Sequence, residues 1–385
     1  MADIFMATYV ILAISAAVCI FILWFYKQAF NYWKKRGLEY LEPTIPFGNA
    51  VNLCMKRCTL GEIFAQFYLQ LKKKGVKHGG AYLFWKPVYI PIDPNIIKKI
   101  LISDFDYFPN RGLYINERDD PLSGHLFTME NKEWKIYILK MFKLRVIARE
   151  AERFFIVLSK NIMDYRKRKC LKTGDLADTL IQLTNDNDQK KLHHMHKNYT
   201  MQPLNCNQVA SQMAVFFCGR CQIKLRNEIR ETLAKHYNGV TYDSVMEMKY
   251  LDWVVDETLR LYPVLPIVPR ICEKDYKVPG TEVIIEKGCF VMVTNMGLHR
   301  DPEYYPDPDK FDPERFSPEN KSSRPNVAYI PFGEGARICV GKRFGLLATK
   351  LGVIAMILNF EVTLNEKTTK QIKFETNELI FTKNK

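Results

Sequence analysis

Apolar and polar positions alternate along this chain in a mostly helical rhythm, and the first run is apolar throughout. Residues 4–26, IFMATYVILAISAAVCIFILWFY, contain no charge. That is about the 20 residues a helix needs to cross a bilayer. Residues 60–74 place apolar side chains at helical spacing, residues 81–90 (AYLFWKPVYI) predict a short strand region, and residues 94–103 return to helical spacing after Asp93-Pro94. Residues 131–168 are basic and helical in period, whereas 169–207 are polar and predict a loop. In LRNEIRETLAKH (225–236), Leu225, Ile229 and Leu233 line one face, with Arg226, Glu228, Arg230 and Glu231 on a solvated one. Tyr250 to Tyr262 predicts another helix, ended by Pro263. Residues 281–293 run apolar around Glu286-Lys287-Gly288 and predict a β-hairpin. Seven prolines between 302 and 331 leave room for neither helix nor sheet, so that stretch predicts an ordered, meandering loop. An apolar helix follows from about 340 to 358. The expected fold is mainly α with small β-sheets.

The first run reads as an uncleaved membrane anchor over residues 1–30. Trp24, Tyr26, Tyr32 and Trp33 would form an aromatic belt at one interface. Lys27, Lys34, Lys35 and Arg36 follow it and Asp3 precedes it, which places the rest of the chain on the cytoplasmic side. A cleaved signal peptide is the competing reading, but bulky aromatics follow the apolar run where small residues would be expected. Residues 31–50 include Pro43-Thr-Ile-Pro46-Phe-Gly48, a stiff segment that is a hinge orienting a globular domain (51–385) or an ordinary linker.

Composition narrows the function classes. Apolar residues make up 47% of the chain, which excludes disorder throughout. The net charge of +14 favours anionic partners. A nucleic-acid binder is motivated by that charge alone, without an aromatic–basic module or a zinc framework to support it. Ten cysteines scattered over 385 residues lack the density of a small secreted scaffold and read as reduced. Cys218-Gly-Arg-Cys221, with His193, His194 and His196 upstream, is half a zinc site, a redox pair or two unrelated core cysteines.

The most specific segment is Phe332-Gly-Glu-Gly-Ala-Arg-Ile-Cys339-Val-Gly341. A cysteine in a glycine-rich loop just before a long helix is favoured as a thiolate by backbone amides and the helix N-terminus. Such a thiolate can be the axial ligand of haem iron. Gly333, Gly335 and Gly341 would let the backbone approach a flat macrocycle, Phe332 would shield the sulfur, and Arg337 would pair with a propionate.

FGEGARICVG resembles the haem-binding loop of the cytochrome P450 superfamily at every defining position. Glu257-Thr-Leu-Arg260 resembles that family's ExxR pair, 82 residues before the cysteine (339 minus 257), and Pro313-Glu-Arg315-Phe316 resembles its PERF element. PTIPFGN, DDPLSGHLFTME, YLDWVVDETLRLYPVLP and GLHRDPEYYPDPDKFDPERFSPEN are similar to the insect microsomal, xenobiotic-metabolising branch. The resemblance implies a P450-like fold in which Glu257 and Arg260 clamp Arg315, Cys339 holds the iron, and Arg270 and Trp134 bind propionates. It implies a monooxygenase of the endoplasmic reticulum membrane, inserting one oxygen atom into a lipophilic small molecule. Electrons would come from an NADPH-dependent cytochrome reductase, with cytochrome b5 a second donor. Lys135, Lys140, Lys143, Lys342 and Arg343 are either a basic docking face for that reductase or a solvated surface.

Three departures from the family pattern stand out. The arginine of its WxxxR motif is Ile138 here, after Trp134. The central acid–threonine pair that delivers protons reads Cys221-Gln222, and the chain passes at once into QIKLRNEIRE, so that roughly 25–30 residues are missing against ordinary helix lengths. A second gap lies near residue 150, making the chain roughly a hundred residues shorter than family members. The expected fold therefore lacks part of the central helices, and a haem-binding or poorly folded pseudoenzyme is the alternative reading.

Overall fold

A computed structural model describes residues 2–112, 219–237, 239–339 and 341–361. Two compact units divide the chain: Met1–Pro109 with Leu259–Cys339, and Asn110–Thr258 with Val340–Lys385.

The first unit begins with the helix Ala2–Phe30, whose described side chains are exposed almost to its end. It meets the globular part at its last turns. Phe25 lies against Trp85, and Tyr82 donates through its hydroxyl to the Phe30 carbonyl at 2.8 Å. Trp33 belongs to the core rather than to an aromatic belt. It is fully buried, and its indole N–H donates to the Ala81 carbonyl at 3.1 Å. Gly80 makes room for it, since a Cβ there would lie 2.4 Å from the Trp33 ring. Tyr32 donates to Glu286, and Arg36 pairs with Glu286 while stacking over the Tyr32 ring. Belt composition and core composition are the same residue types, so sequence alone could not divide them. In the segment 43–49, Thr44 and Gly48 exchange two backbone hydrogen bonds, and the Asn49 side chain accepts from Tyr82 N at 2.8 Å.

The helix Leu60–Lys73 starts on a reciprocal cap. Thr59 Oγ1 accepts from Glu62 N, and the Glu62 carboxylate accepts from Thr59 N. Strands β1 (His78–Leu83) and β2 (Lys86–Pro91) follow as an antiparallel hairpin, so residues 81–90 hold most of two strands and the turn between them. The turn is Phe84-Trp85, with Phe84 at φ +56°. The sheet is completed by β3 (Val268–Ile271) and by β6 (Phe290–Val293), in the order β1-β2-β6-β3. Strands β4 (Tyr276–Lys277) and β5 (Ile284–Ile285) pair separately. Residues 281–293 are thus no hairpin, because β5 and β6 belong to different sheets. Apolar alternation marks a strand but carries no information about its partner.

The prolines between 302 and 331 do exclude long elements, but three short helical turns survive among them. Pro313 and Pro318 open two of these, where a missing N–H costs nothing. Asn326–Ala328 forms the third. Before the meander, the helix Asn295–His299 is pressed onto Leu60–Lys73: a Cβ on Gly297 would lie 2.8 Å from Tyr68 Cγ. Just beyond it, fully buried Asp301 accepts from the Tyr68 hydroxyl at 2.7 Å and pairs with Lys72. That carboxylate is retained in the core because it has both a donor and a counter-charge. His299 is fully buried as well, its Nε2 accepting from Ile330 N at 3.1 Å.

In the second unit the helix Gly219–Lys235 buries Leu225, Ile229 and Leu233, as their spacing predicts. Its other face is less solvated than the pattern suggests. Glu228 accepts from the backbone of Tyr250 and Leu251 at 2.7 and 2.9 Å, at the start of the helix Lys249–Leu261. Arg226 donates to the carbonyls of Ile357 and Phe360 at 3.0 and 2.8 Å, which satisfies the C-terminal end of the helix Lys342–Asn359. Charged residues spaced like a surface stripe therefore serve as caps for neighbouring helices. Lys350, nearly buried, pairs with Asp252.

Two stability predictions follow from these contacts. Burial, reinforced by the Arg260 charge, pulls the His299 imidazole down to a pKa of about 3 from its ordinary 6.5. The folded chain keeps it neutral while the unfolded chain protonates it, so its contribution is complete above pH 6.5 and is lost as pH falls towards 3. The slope is about 1.4 kcal/mol per pH unit in that window. Urea midpoints of the full chain in detergent should fall more steeply between pH 7 and 5 than those of His299→Gln. Gly333 and Gly335 give a second comparison, with φ of +74° and +76°. A Cβ on Gly333 would meet nothing nearer than 3.9 Å, whereas one on Gly335 would lie 2.0 Å from the Leu101 carbonyl oxygen. Gly333→Ala should cost about 1–2 kcal/mol for its backbone alone, and Gly335→Ala clearly more. Equal losses would show that the loop does not press on Leu101.

Candidate functional site

The loop 332–339 closes the first unit in sequence and has almost no regular structure to hold it. Its order comes from specific backbone bonds. Gly333 N donates to Ile330 O at 2.9 Å, Ile338 N to Gly335 O at 3.0 Å, and Cys339 N to Phe332 O at 2.9 Å. Gly335–Arg337 makes one 3-10 turn, started by Glu334, whose carboxylate accepts from Gly335 N. The contact of Gly335 with Leu101 ties the loop to the turn Lys99–Ser103. Arg337 ties it a second time, its Nε donating to the Pro109 carbonyl at 3.2 Å. Neither partner was readable in the sequence, because both are backbone carbonyls more than two hundred residues away.

This scaffold leaves the Cys339 thiol exposed. The other cysteines of the unit's core, Cys58, Cys272 and Cys289, are buried. Burial pushes the thiols of Cys58 and Cys272 up to about 11 and about 12, and raises Cys289 further. Those three stay protonated at neutral pH. Cys339 is therefore the one cysteine of this set whose sulfur is open to a ligand. In the same loop Ile338 is 39% exposed and Phe332 half-buried, apolar groups that suit a flat apolar macrocycle. Open space over Gly333 suits the same ligand. A soft sulfur donor on a loop held by its own backbone bonds fits haem iron.

The cationic residues expected around it fall in two places. Arg270 is fully buried in β3 and donates to the Pro269 carbonyl at 2.9 Å, while Arg337 is half-buried on the loop itself. Trp134 lies outside the described residues, as do Ile138, Lys135, Lys140, Lys143 and Cys218. Gly341 belongs to the second unit and has an ordinary φ of −83°, so its role does not rest on left-handed backbone. Glu257 and Arg260 are both fully buried on the helix Lys249–Leu261, at a spacing that puts them on one face. Arg260 donates to the carbonyls of His299 and Lys310 at 2.8 and 3.3 Å, and so holds the meander by its backbone. Arg315 donates to the Asp307 carbonyl at 3.0 Å within the meander. In the second unit Gln222 is nearly buried, and its side-chain oxygen accepts from Arg226 at 3.0 Å. No cluster of metal-binding side chains occurs among the described residues, which leaves the Cys221 side of the CxxC without a zinc framework there.

Comparison with known proteins supports the same reading. The cytochrome P450 family model matches residues 219–385. Probable cytochrome P450 6a20 of Drosophila melanogaster is 28% identical, over 97% of this chain and 97% of its own length. Cytochrome P450 6a2 of the same fly is 26% identical over 98% and 97%, and cytochrome P450 6k1 of Blattella germanica is 28% identical over 91% and 91%. The match to the first extends over 500 residues, at least 115 more than the 385 of this chain (500 minus 385), so the chain is a shortened relative. A likeness that runs the length of the chain, with the cysteine loop and the buried helix pair in family order, points one way: residues 219–385 match the cytochrome P450 family of haem-binding monooxygenases, and the whole chain is similar to insect members of it.

Proposed function

We propose that this chain is a membrane-anchored haem-thiolate monooxygenase in which Cys339 supplies the axial ligand. The observation that carries the reading is the exposed Cys339 thiol on a loop pinned at Leu101 and Pro109, beside three cysteines that burial keeps protonated. Bound haem supplies the activation of molecular oxygen and the insertion of one atom into a lipophilic small molecule. The chain's own residues bind and orient it. Phe332 and Ile338 cover the sulfur side, Gly333 and Gly335 let the loop lie flat, and Gly341 ends it. Arg270, Arg337 and Trp134 pair with the propionates. Glu257 and Arg260, with Arg315, hold the meander and through it the loop.

The helix Ala2–Phe30, with 23 residues from Thr8 long and apolar enough to span, anchors the chain in the endoplasmic reticulum membrane. The domain 51–385 faces the cytoplasm in this reading, which exposed Lys34 and Lys35 after the helix support. The segment 31–50 acts as a hinge whose orientation is set by its bonds to β1. Exposed Lys342 and Arg343, with Lys135, Lys140 and Lys143, dock an acidic NADPH-dependent reductase or cytochrome b5.

A second reading is a haem-binding pseudoenzyme. It is favoured by the residues absent relative to family members and by Gln222, engaged with Arg226 where the family's threonine would lie. The gaps fall near residue 150 and near 218–222. The two readings part on coupling. A working monooxygenase forms oxygenated product from NADPH and oxygen, whereas a pseudoenzyme releases the electrons as peroxide or takes none.

Membrane fractions holding the full chain, reduced and exposed to carbon monoxide, should show the red-shifted Soret band of thiolate ligation. Cys339→Ser should abolish that band while the chain still accumulates. Removing residues 2–30 should release the protein from the membrane without abolishing the band. If wild type shows only the unshifted band, Cys339 is not the ligand.

A further inference from the structure

The bonds that converge on Ile330 point to a role for two residues outside the motifs. Ile330 lies two positions before Phe332 and is 1% exposed. Its N–H donates to His299 Nε2 at 3.1 Å. Its carbonyl accepts from Asn295 Nδ2 at 3.1 Å and from Gly333 N at 2.9 Å. Both side chains come from the helix Asn295–His299, so one five-residue helix grips both polar ends of a single residue. We propose that His299 and Asn295 are positioning residues for the Cys339 loop, holding Ile330 so that the turn from Phe332 to Cys339 keeps one geometry. This rests on the reading of Cys339 as the thiolate ligand.

Three features support it. The first is continuity. Arg260 donates to His299 O, His299 Nε2 accepts from Ile330 N, Ile330 O accepts from Gly333 N, and Phe332 O accepts from Cys339 N. A run of hydrogen bonds thus links the ExxR arginine to the cysteine loop. The second is that the gripping helix cannot drift. Gly297 sits against Tyr68, Asp301 holds both Tyr68 and Lys72, and Asn295 donates a second bond to Leu265 O at 3.0 Å. The third is the choice of side chain. To accept at Nε2, the ring carries its proton on Nδ1, and the backbone of Arg260 and Leu259 lies against the same imidazole. Filling space beside Tyr329, 5.3 Å away ring to ring, does not need an imidazole; accepting from Ile330 N does.

The experiment uses the full chain in membranes, as wild type, His299→Leu, His299→Gln and Asn295→Leu. The reading is the red-shifted fraction of the reduced carbonyl spectrum relative to total extracted haem. His299→Leu should lower that fraction, with the ratio of red-shifted to unshifted haem falling about fivefold or more, the change expected from losing one buried hydrogen bond. His299→Gln, whose carbonyl can accept from Ile330 N, should restore it. A merely structural role would lower total haem and leave the fraction unchanged, which would overturn the proposal. If His299→Leu does not accumulate, Asn295→Leu decides by the same ratio: a fall supports the proposal and an unchanged fraction overturns it. If wild type itself shows no red-shifted band, the thiolate reading fails separately. Amide exchange over residues 330–339 of the haem-free chain then decides. Exchange about fivefold faster in His299→Leu, and restored in His299→Gln, supports the positioning role, and unchanged exchange refutes it.

Discussion

A sulfur that is to serve as a metal ligand must be exposed, yet it must not move. Burial would protonate the thiol, as it does for Cys58 and Cys272 in the same unit, while a free loop would let it wander. Residues 332–339 resolve the conflict with backbone. Glycines in left-handed conformations bring the chain against the Leu101 carbonyl, and short bonds close the turn from Phe332 to Cys339. The loop is crowded where Gly335 meets Leu101 and open over Gly333. Much of the first unit can be understood as support for that asymmetry.

The support is polar and buried. Arg260, Arg270, Asp301, Asn295 and His299 are all fully enclosed, a concentration of polar and charged groups that a stability argument alone would disfavour. Each is committed to a backbone carbonyl, a backbone N–H or an opposite charge. Irregular chain such as the meander has no ladder of its own to satisfy its peptide groups, so side chains must do it. Prolines shorten the list of groups needing partners, and arginines supply several donors each. This is why a stretch with seven prolines can be as ordered as a helix.

The second unit shows the same economy on a regular scaffold. Arg226 and Glu228 sit on the face of an amphipathic helix that its pattern assigns to water, yet they close the end of one neighbouring helix and the start of another. In the helix Lys342–Asn359, Phe344 at 70% and Leu351 at 41% remain exposed. Apolar surface of that kind is consistent with a chain shorter than its relatives, since the helices of a family fold are each built to meet a neighbour.

The sequence by itself determined the helices with strong periodicity, the long apolar one at the N-terminus among them, and it carries the cysteine loop and its companion motifs. These are local: apolar spacing and glycine–cysteine patterns act within a few residues. Partners were decided only by the tertiary structure. It sent β5 and β6 to different sheets, drew Trp33 out of the expected aromatic belt into the core, and turned two surface charges into caps. It also set Leu101 and Pro109 beneath the cysteine loop and Ile330 in the grip of Asn295 and His299. A pattern of side chains states what a segment can bury or donate. Which group receives it depends on chain closure over hundreds of residues, and no window of sequence contains that information.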